Sequence, residues 1–469
     1  MSNDTSKMFG EEKIGKLLFK FSIPIILSML ISELYSMVDT MFVGNEVGAN
    51  GIAALALVFP IQRLIIALSM MIALGTSTAF SRANGSNDKE KAKDIVNNGF
   101  SLAIVIMITL TTLVYTFRKQ ILVFLGASDK ILPYANEYLS VIIFGSLFLS
   151  LTIFISNIIL ALGNNKVAII SNSIGAITNI IIDYILVIKL SMGVRGAAIA
   201  TAVSQMVGFS YAYYRYVRIK KDFGLKSGFS LKKSVIVPIL LVGVSAFIVE
   251  AEDGIVMATL NNLLLRAVGD EGIVVLGVIT KVYMFLFVTM FGISSAMQPI
   301  VAYNVGARNY ERVKQIMKKT IFYAFLATGA LWAFTLFFAP QLISLFVEDQ
   351  NILDKSVQAF RIMVSLFPLI SVYYVSIFYY QALGKARASV MVSIFRQIIV
   401  MIPVAVVLMK VFNLGAMGAW LAYPISDILA AIVSSILVKR EFKELDLKME
   451  KVKKEKQKEK AYKKELIFN

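Results

Sequence analysis

The chain of 469 residues contains no cysteine and no histidine. Without cysteine there can be no disulfide, thiolate metal site or cysteine nucleophile. Without histidine the side chain that ordinarily titrates near neutral pH is missing, so proton exchange there must use carboxyl groups whose surroundings favour protonation. No glycine-rich phosphate loop ending in Gly-Lys-Ser/Thr is present either. These absences argue against an enzyme, and we expect no cofactor.

Charge is also scarce. Only 16% of the residues are charged and 58% are hydrophobic, with a mean hydropathy of +0.74, whereas about a quarter of a soluble domain is charged. The sequence therefore predicts an integral membrane protein. The polar stretch 1–10 leads into the first apolar run without a cleavage signal, so we expect this run to be an uncleaved anchor.

The apolar runs are long enough for about a dozen spanning helices, at roughly 20 residues each. Segments such as Ser101–Tyr115 show no alternation of period two, which favours helices over a barrel. The predicted spans are 17–43, 52–80, 95–117, 138–162, 167–189, 196–217, 237–265, 273–299, 317–340, 359–382, 389–411 and 416–438.

The two halves of the chain repeat each other at a shift of 221 residues. Val47–Ala56 returns as Val268–Gly277, and Gly85 falls on Gly306. A repeat of six helices gives both halves the same orientation in the bilayer, related by an axis along the membrane normal. The predicted fold is all-α, with twelve transmembrane helices in two lobes of six.

Positive charge is distributed unevenly between the loops. Lys and Arg in the loops after the even-numbered helices, such as Arg82, Lys89 and Lys93, outnumber those in the opposite loops by about two to one. This distribution predicts that both termini are cytoplasmic and accounts for the net charge of +17 without nucleic acid. We expect a monomer in the cell membrane. The predicted segments are a cytoplasmic N-terminus 1–16, an N-lobe 17–218, a cytoplasmic linker 219–236, a C-lobe 237–438 and a charged cytoplasmic tail 439–469, either solvated or resting on anionic headgroups.

An ionisable group at bilayer depth costs roughly 3 kcal/mol or more and is a functional hypothesis by default. Asn179 and Asp183 are four residues apart and share a helical face, so this pair can hold a proton or offer hard oxygens to Na⁺. A buried hydrogen bond between helices is the alternative. Thr201 on the next helix is a weaker candidate. The other ionisable residues within predicted spans are Glu33, Asp39, Arg63, Glu250, Glu252, Asp253, Lys281, Arg396 and Asp427.

Asp39 follows Pro24 by fifteen residues on the first predicted helix. Because proline removes one backbone hydrogen bond, Pro24 is either a hinge that moves Asp39 or a fixed kink.

A secondary acidic cluster, Glu250, Glu252 and Asp253, lies on the seventh predicted helix. These acids cannot all face one cavity, so at least one is expected to pair with a cation. We favour inter-helix pairing over substrate contact. The available cations are Lys281, Arg396 and Arg63.

Several motifs follow one another along the chain, and the pattern is duplicated between the two halves. They are Val38–Gly44 followed by Gly48 and Ala53, Asn179 and Asp183 ahead of Gly193–Ala198, Gln298–Ala307, and a second glycine and alanine motif at Gly415–Ala419. From about residue 12 to 440, this pattern resembles the multidrug and toxic compound extrusion (MATE) family of antiporters.

The resemblance implies two six-helix lobes around a V-shaped cavity that opens alternately to each side. It implies export of lipophilic cations in exchange for H⁺ or Na⁺, with Asp39, Asn179, Asp183 and Thr201 as the coupling residues of the branch whose cation site lies in the N-lobe. Two positions depart from a symmetric pattern, since Val400 and Val404 stand where a second copy of the site would lie.

Aromatic and methionine side chains suit a cavity for varied organic cations, although such residues are more often packed or face lipid. The candidates are Tyr35, Met37, Met257, Met284, Met290 and Gln298. A lipid-linked oligosaccharide flippase of the same superfamily is the alternative function, which Arg63, Lys281 and Arg396 keep open. A nutrient carrier is disfavoured because the loop after the second helix lacks the usual glycine and arginine motif.

Overall fold

The computed structural model describes residues 8–222, 228–347 and 349–468, and these residues contain helices and turns but no strands. Besides two short helical segments, at residues 8–11 and at Ala339–Ser344, the described residues form twelve long helices. These are α1 Ile14–Val47, α2 Ala49–Gly85, α3 Lys89–Phe124, α4 Leu132–Ala161, α5 Lys166–Lys189, α6 Gly193–Asp222, α7 Lys233–Val268, α8 Asp270–Gly306, α9 Tyr310–Phe337, α10 Gln350–Leu383, α11 Ala386–Val411 and α12 Ala416–Phe468.

Eleven of these described helices are long and apolar enough to cross a membrane. The exception is α6, whose 30 residues include many glycine, serine and tyrosine residues, and these lower its mean hydropathy. The all-α architecture predicted from the sequence is confirmed. Most helices extend beyond the predicted apolar runs; for example, the run 52–80 lies inside α2, Ala49–Gly85.

Three helices depart from regular α geometry at defined points. In α5 the α-helical part ends at Asp183 and continues as the π-helical turn Tyr184–Lys189. In α11 π-helical turns occupy Phe395–Met401 and Val407–Val411. In α10 a 3₁₀ turn containing Pro368 interrupts the helix, because proline cannot donate the next backbone hydrogen bond. Wider π turns re-aim side chains and often occur at functional sites.

The described residues divide into two compact units. The first contains Phe19–Phe80 and Glu90–Met257, and the second contains the described part of Asn3–Leu18, Ser81–Lys89 and Ala258–Asn469. Four helices, α1, α2, α3 and α7, therefore contribute residues to both units, α3 only through its first residue, Lys89. The lobe boundaries inferred from the repeat stay a prediction.

Within the second unit, the end of α2 crosses the end of α8 at two glycines. A methyl group on Gly85 would overlap the carbonyl oxygen of Tyr303, and one on Gly306 would overlap that of Arg82. The shift of 221 residues converts Gly85 into Gly306 and Arg82 into Tyr303. The contact is therefore reciprocal, and only glycine allows the two backbones to approach so closely.

The charged segment that follows the last apolar run continues α12 without a break. Its described side chains form ion pairs with other parts of the second unit, including Lys314 of α9 with Asp446 at 2.7 Å, and Lys385, which follows α10, with Glu444 at 2.6 Å. The hydrogen bond from Lys385 lowers the pKa of Glu444 below its usual value. These contacts fix the first turns of the segment to the protein.

Candidate functional site

The first unit brings the four predicted cation-coupling residues together. Asp39 comes from α1, Asn179 and Asp183 from α5, and Thr201 from α6, and none is more than 7% exposed. The Asn179 Nδ2 atom donates to Thr201 Oγ1 at 3.3 Å. The carboxyl groups of Asp39 and Asp183 are neighbours, and Asn179 lies beside Asp183. The spacing of four residues places Asn179 and Asp183 on one face of α5, and Asp39 of α1 lies beside Asp183.

This site contains more buried oxygen atoms than hydrogen-bond donors. Asp39 Oδ1, Asn179 Oδ1 and both carboxyl oxygens of Asp183 have no hydrogen-bond partner among the described residues. Buried polar atoms without partners are uncommon and costly. Such a set can be satisfied by one proton shared between the two carboxyl groups, or by a small cation that binds hard oxygens.

The donor set fits a monovalent ion better than a divalent metal. Over the part of the chain that the structure describes, no group of three or more acidic, histidine or cysteine residues could hold a metal ion. One carboxylate, one protonated carboxyl group, an amide oxygen and a hydroxyl give Na⁺ hard oxygen ligands and leave the site neutral. The residues present therefore fit Na⁺ or H⁺.

Two residues that the sequence analysis did not name also lie at this site. Tyr138 on α4 is a neighbour of Asp39, Asp183 and Tyr35, and it shares a side-chain hydrogen bond with Gln62 on α2. A glutamine inside an apolar run is a signal that could have indicated Gln62. Tyr138 stands at the start of a predicted span, where an aromatic residue is typical of the membrane interface, so no pattern in the sequence distinguishes it.

The secondary acidic cluster on α7 lies near a single arginine of the first unit. Arg63 is 3.8 Å from Glu33, and both charges act on Glu250. Glu252 is buried, whereas Asp253 is exposed. Of the cations considered, Arg63 is thus the one placed beside this cluster. Whether the cluster also contacts substrate stays a prediction.

The other two cations have partners of their own in the second unit. Lys281 lies over the ring of Phe346 at 5.3 Å. Arg396, on the first π turn of α11, pairs with Asp427 of α12 through Nε at 2.9 Å and Nη2 at 2.8 Å. Arg396 and Asp427 are each only 1% exposed, and the guanidinium lies 5.6 Å from the ring centre of Tyr373.

The residues predicted to line a substrate cavity have different surroundings. Tyr35 is a neighbour of Asp39, and Met37 is 43% exposed. Met257 and Met284 are partly exposed. Met290 accepts a hydrogen bond from Ser294, and Gln298 donates to Gln381 at 3.0 Å, so both are packed against neighbours in this conformation. The role of all six in substrate binding stays a prediction.

Comparison with known sequences gives consistent matches over nearly the whole chain. The sequence model of the MatE family matches residues 24–185 and 255–407. The multidrug export protein MepA of Staphylococcus aureus is 25% identical over 451 residues, which cover 93% of this chain and 96% of that protein. A FAD transporter of Shewanella oneidensis is 23% identical over 438 residues, covering 91% and 95% of the two chains.

Comparison with solved structures gives the same result. A multidrug resistance MATE family transporter of the MOP superfamily, solved in an outward-facing conformation, matches with a TM-score of 0.88. The sequence identity is 26%, and the match covers 94% of this chain and 98% of that one. A MATE structure in a straight conformation also matches with a TM-score of 0.88 at 26% identity.

Proposed function

The chain belongs to the MatE family of multi-pass membrane transporters, and we propose that it exports lipophilic organic cations in exchange for H⁺ or Na⁺. It is a transporter and not an enzyme. Relatives across the full length are named for multidrug export, which supports small organic molecules as the substrate class. Cationic substrates are proposed because the first unit carries acids at the depth of its spanning helices.

One observation gives the strongest support to an ion-binding site at Asp39 and Asp183. Asp39 and Asp183 are adjacent and buried, and three of their carboxyl oxygens have no hydrogen-bond partner among the described residues. Two buried carboxyl groups at such close range cannot both stay ionised without a cation. Uptake of a proton or of Na⁺ therefore changes the charge of this site by one.

Exchange follows from competition between two positive species. When the ion is bound, the site no longer attracts a cationic substrate; when the ion leaves, the negative charge returns and the substrate binds. An ion that binds one conformation better than another shifts the balance between conformations by its difference in affinity. Tyr35 and Met37, close to Asp39 in the chain, offer aromatic and thioether surface to an organic cation.

Orientation and assembly complete the proposal. The excess of Lys and Arg in the loops after the even-numbered helices supports a cytoplasmic location of both termini. We further propose that the monomer is the functional unit, since the site is made entirely by residues of one compact unit.

The decisive experiment is dye efflux from proteoliposomes under a proton gradient and, separately, under a sodium gradient. Asp183→Asn keeps the shape of the side chain but removes its charge, so we expect ion-driven efflux to be lost. Glu46→Gln is the matched control, because Glu46 is an exposed carboxylate on α1, the helix that carries Asp39. Efflux by Asp183→Asn at the wild-type rate would contradict the assignment.

The same vesicles separate the alternatives. A relative is named a FAD transporter, so transport of flavin nucleotide in place of cationic dyes would identify a different substrate. Movement of a lipid-linked oligosaccharide without dye efflux would identify a flippase, which the relatives named here do not favour.

A further inference from the structure

Pro24 removes the α-helical donor of one backbone carbonyl oxygen of α1. In an α-helix the amide of residue 24 would bind the carbonyl oxygen of residue 20, but proline has no N–H. Pro24 lies inside α1, which continues on both sides of it. The side chain of Asn165, from the start of α5, donates its Nδ2 hydrogen bond to this carbonyl oxygen of Lys20.

The side chain of Asn165 hydrogen-bonds to α1 and does not cap its own helix, α5. It occupies the N-cap position of α5, where an asparagine ordinarily accepts a hydrogen bond from the first turn, yet it makes no side-chain cap. Its neighbour Asn164 instead accepts from the amide of Lys166 at 3.2 Å. Asn165 is 9% exposed, so water has little access to replace it.

Two further contacts follow along the same pair of helices. Asn172 Nδ2 donates to Ser28 Oγ at 2.6 Å, and the carboxyl groups of Asp39 and Asp183 are neighbours. Lys20 and Asn165 are 145 residues apart, and Ser28 and Asn172 are 144 apart, as are Asp39 and Asp183. We call these three contacts the α1–α5 seam. Their nearly constant offset means that the two helices run parallel and in register.

The second repeat lacks every contact of this seam. At a shift of 221 residues, Pro24 becomes Ser245 and Asn165 becomes Ala386, so neither the missing amide nor its substitute donor occurs. Ser28 becomes Val249, and the two acids become Leu260 and Val404. The seam and the ion site are therefore present together in one repeat and absent together from the other.

We propose that Asn165 and Asn172 are positioning residues for ion coupling, which hold α5 in register with α1 so that Asp183 stays beside Asp39. Asn165 does so through the Lys20 carbonyl oxygen freed by Pro24. This inference rests on the proposed function. Without the hydrogen bond from Asn165, α1 would be less firmly held against α5 near Lys20. The carboxyl groups of Asp39 and Asp183 would then no longer be held close enough to share one small ion.

The absence of cysteine makes a direct measurement practical, because labels attach only to introduced thiols. Met41→Cys on α1 and Ile181→Cys on α5 are exposed positions near the two acids. Spin labels at both positions report the distance between the helices through dipolar broadening of the EPR spectrum. The readout needs no transport, so it tests the seam even if the proposed function fails.

The variant Asn165→Ala removes the donor, and we expect a broader distribution of label distances than in the otherwise unmodified protein. We also expect the ion concentration that half-saturates efflux to rise about tenfold, as for loss of a hydrogen bond to a buried acceptor, with the half-saturating dye concentration unchanged. Asn164→Ala is the matched control in the same loop and is expected to change neither quantity.

Pro24→Ala supplies the test of mechanism. This substitution restores the amide that binds the Lys20 carbonyl oxygen, so Asn165→Ala should have no further effect on the EPR spectrum in that background. If Asn165→Ala alone does not fold, folding of the Pro24→Ala/Asn165→Ala double variant supports the proposal and failure of both overturns it. The proposal is also overturned if Asn165→Ala has the spectrum of the parent, or if Asn164→Ala has an equal effect.

Discussion

The two repeats place opposite kinds of polar group in their helices. In the first repeat, Asp39 and Asp183 present buried oxygens without partners among the described residues. In the second, the corresponding positions are Leu260 and Val404, and two buried charges, Arg396 and Asp427, pair with each other at 2.8 Å. One site requires an external cation to become neutral, whereas the other is already neutral.

Under the proposed function, this difference explains how a duplicated chain would use only one half for coupling. A buried charge needs a partner, and breaking such a pair is far more costly than replacing it with apolar residues. Because Asp427 has a permanent arginine partner, it has no free negative charge for a mobile ion. The first repeat keeps its carboxyl groups unpaired at a cost in stability, and in the proposed mechanism a bound ion would offset that cost.

The largest effect should come from breaking the permanent pair. Arg396→Met leaves the Asp427 carboxylate buried and unpaired, and we expect a loss of about 3–5 kcal/mol in the free energy of unfolding. The melting temperature of the purified protein measures this loss. Asp183→Asn, which removes a charge lacking a permanent partner, should not lower it.

The double variant Arg396→Met/Asp427→Leu is the control, and it should recover most of the lost stability because no charge remains buried. A melting temperature for the double variant as low as that for Arg396→Met would contradict the pairing argument.

The next effect concerns a position where the repeats agree. Gly85→Ala and Gly306→Ala each force a methyl group onto a carbonyl oxygen of the partner helix, and overpacking of this kind costs about 1–3 kcal/mol. Because the contact is reciprocal, the two losses in thermal stability should be similar. Gly254→Ala, where a methyl group meets no atom within 4 Å, is expected to be neutral or slightly stabilising. A large loss from Gly254→Ala, or a clear inequality between the other two, would refute this reading.

A smaller effect is expected from making the first repeat resemble the second at one position. Thr201→Ala copies Ala422 and removes the hydroxyl that accepts from Asn179, at a cost of about 1 kcal/mol. Half-saturation of efflux should require more coupling ion, since one oxygen of the site is gone. Thr112→Ala, an exposed hydroxyl bonded within its own helix, should leave the ion requirement unchanged. An unaltered ion requirement in Thr201→Ala would exclude this hydroxyl from the site.

The smallest effect should come from the exposed ion pair. Arg63 and Glu33 are 45% and 34% exposed and 3.8 Å apart, so Arg63→Gln should change the free energy of unfolding by less than about 1 kcal/mol. Chemical or thermal unfolding of the variant measures this change. A loss comparable with that of Arg396→Met would mean that Arg63 supports the α7 acids far more strongly than an exposed pair can.

Sequence reasoning reached the helices, the repeat and the four polar residues of the candidate ion site. Residues such as Asn179 and Asp183 could be selected because polar groups inside apolar runs are costly and share a helical face at a spacing of four. Their neighbours Gln62 and Tyr138 were not selected, because their proximity depends on how α2 and α4 pack. The pairing of Arg396 with Asp427 was equally hidden, since several acids and cations could have combined.

The sequence by itself determined the class of the molecule, because hydropathy and internal repetition act along the chain and need no knowledge of contacts. It also determined that Pro24 frees the Lys20 carbonyl, since this follows from the chemistry of proline. Only the tertiary structure decided that Asn165, 145 residues away, donates to that carbonyl. Hydrogen bonds and ion pairs require distances of a few ångströms, and packing between helices alone sets which side chains come that close.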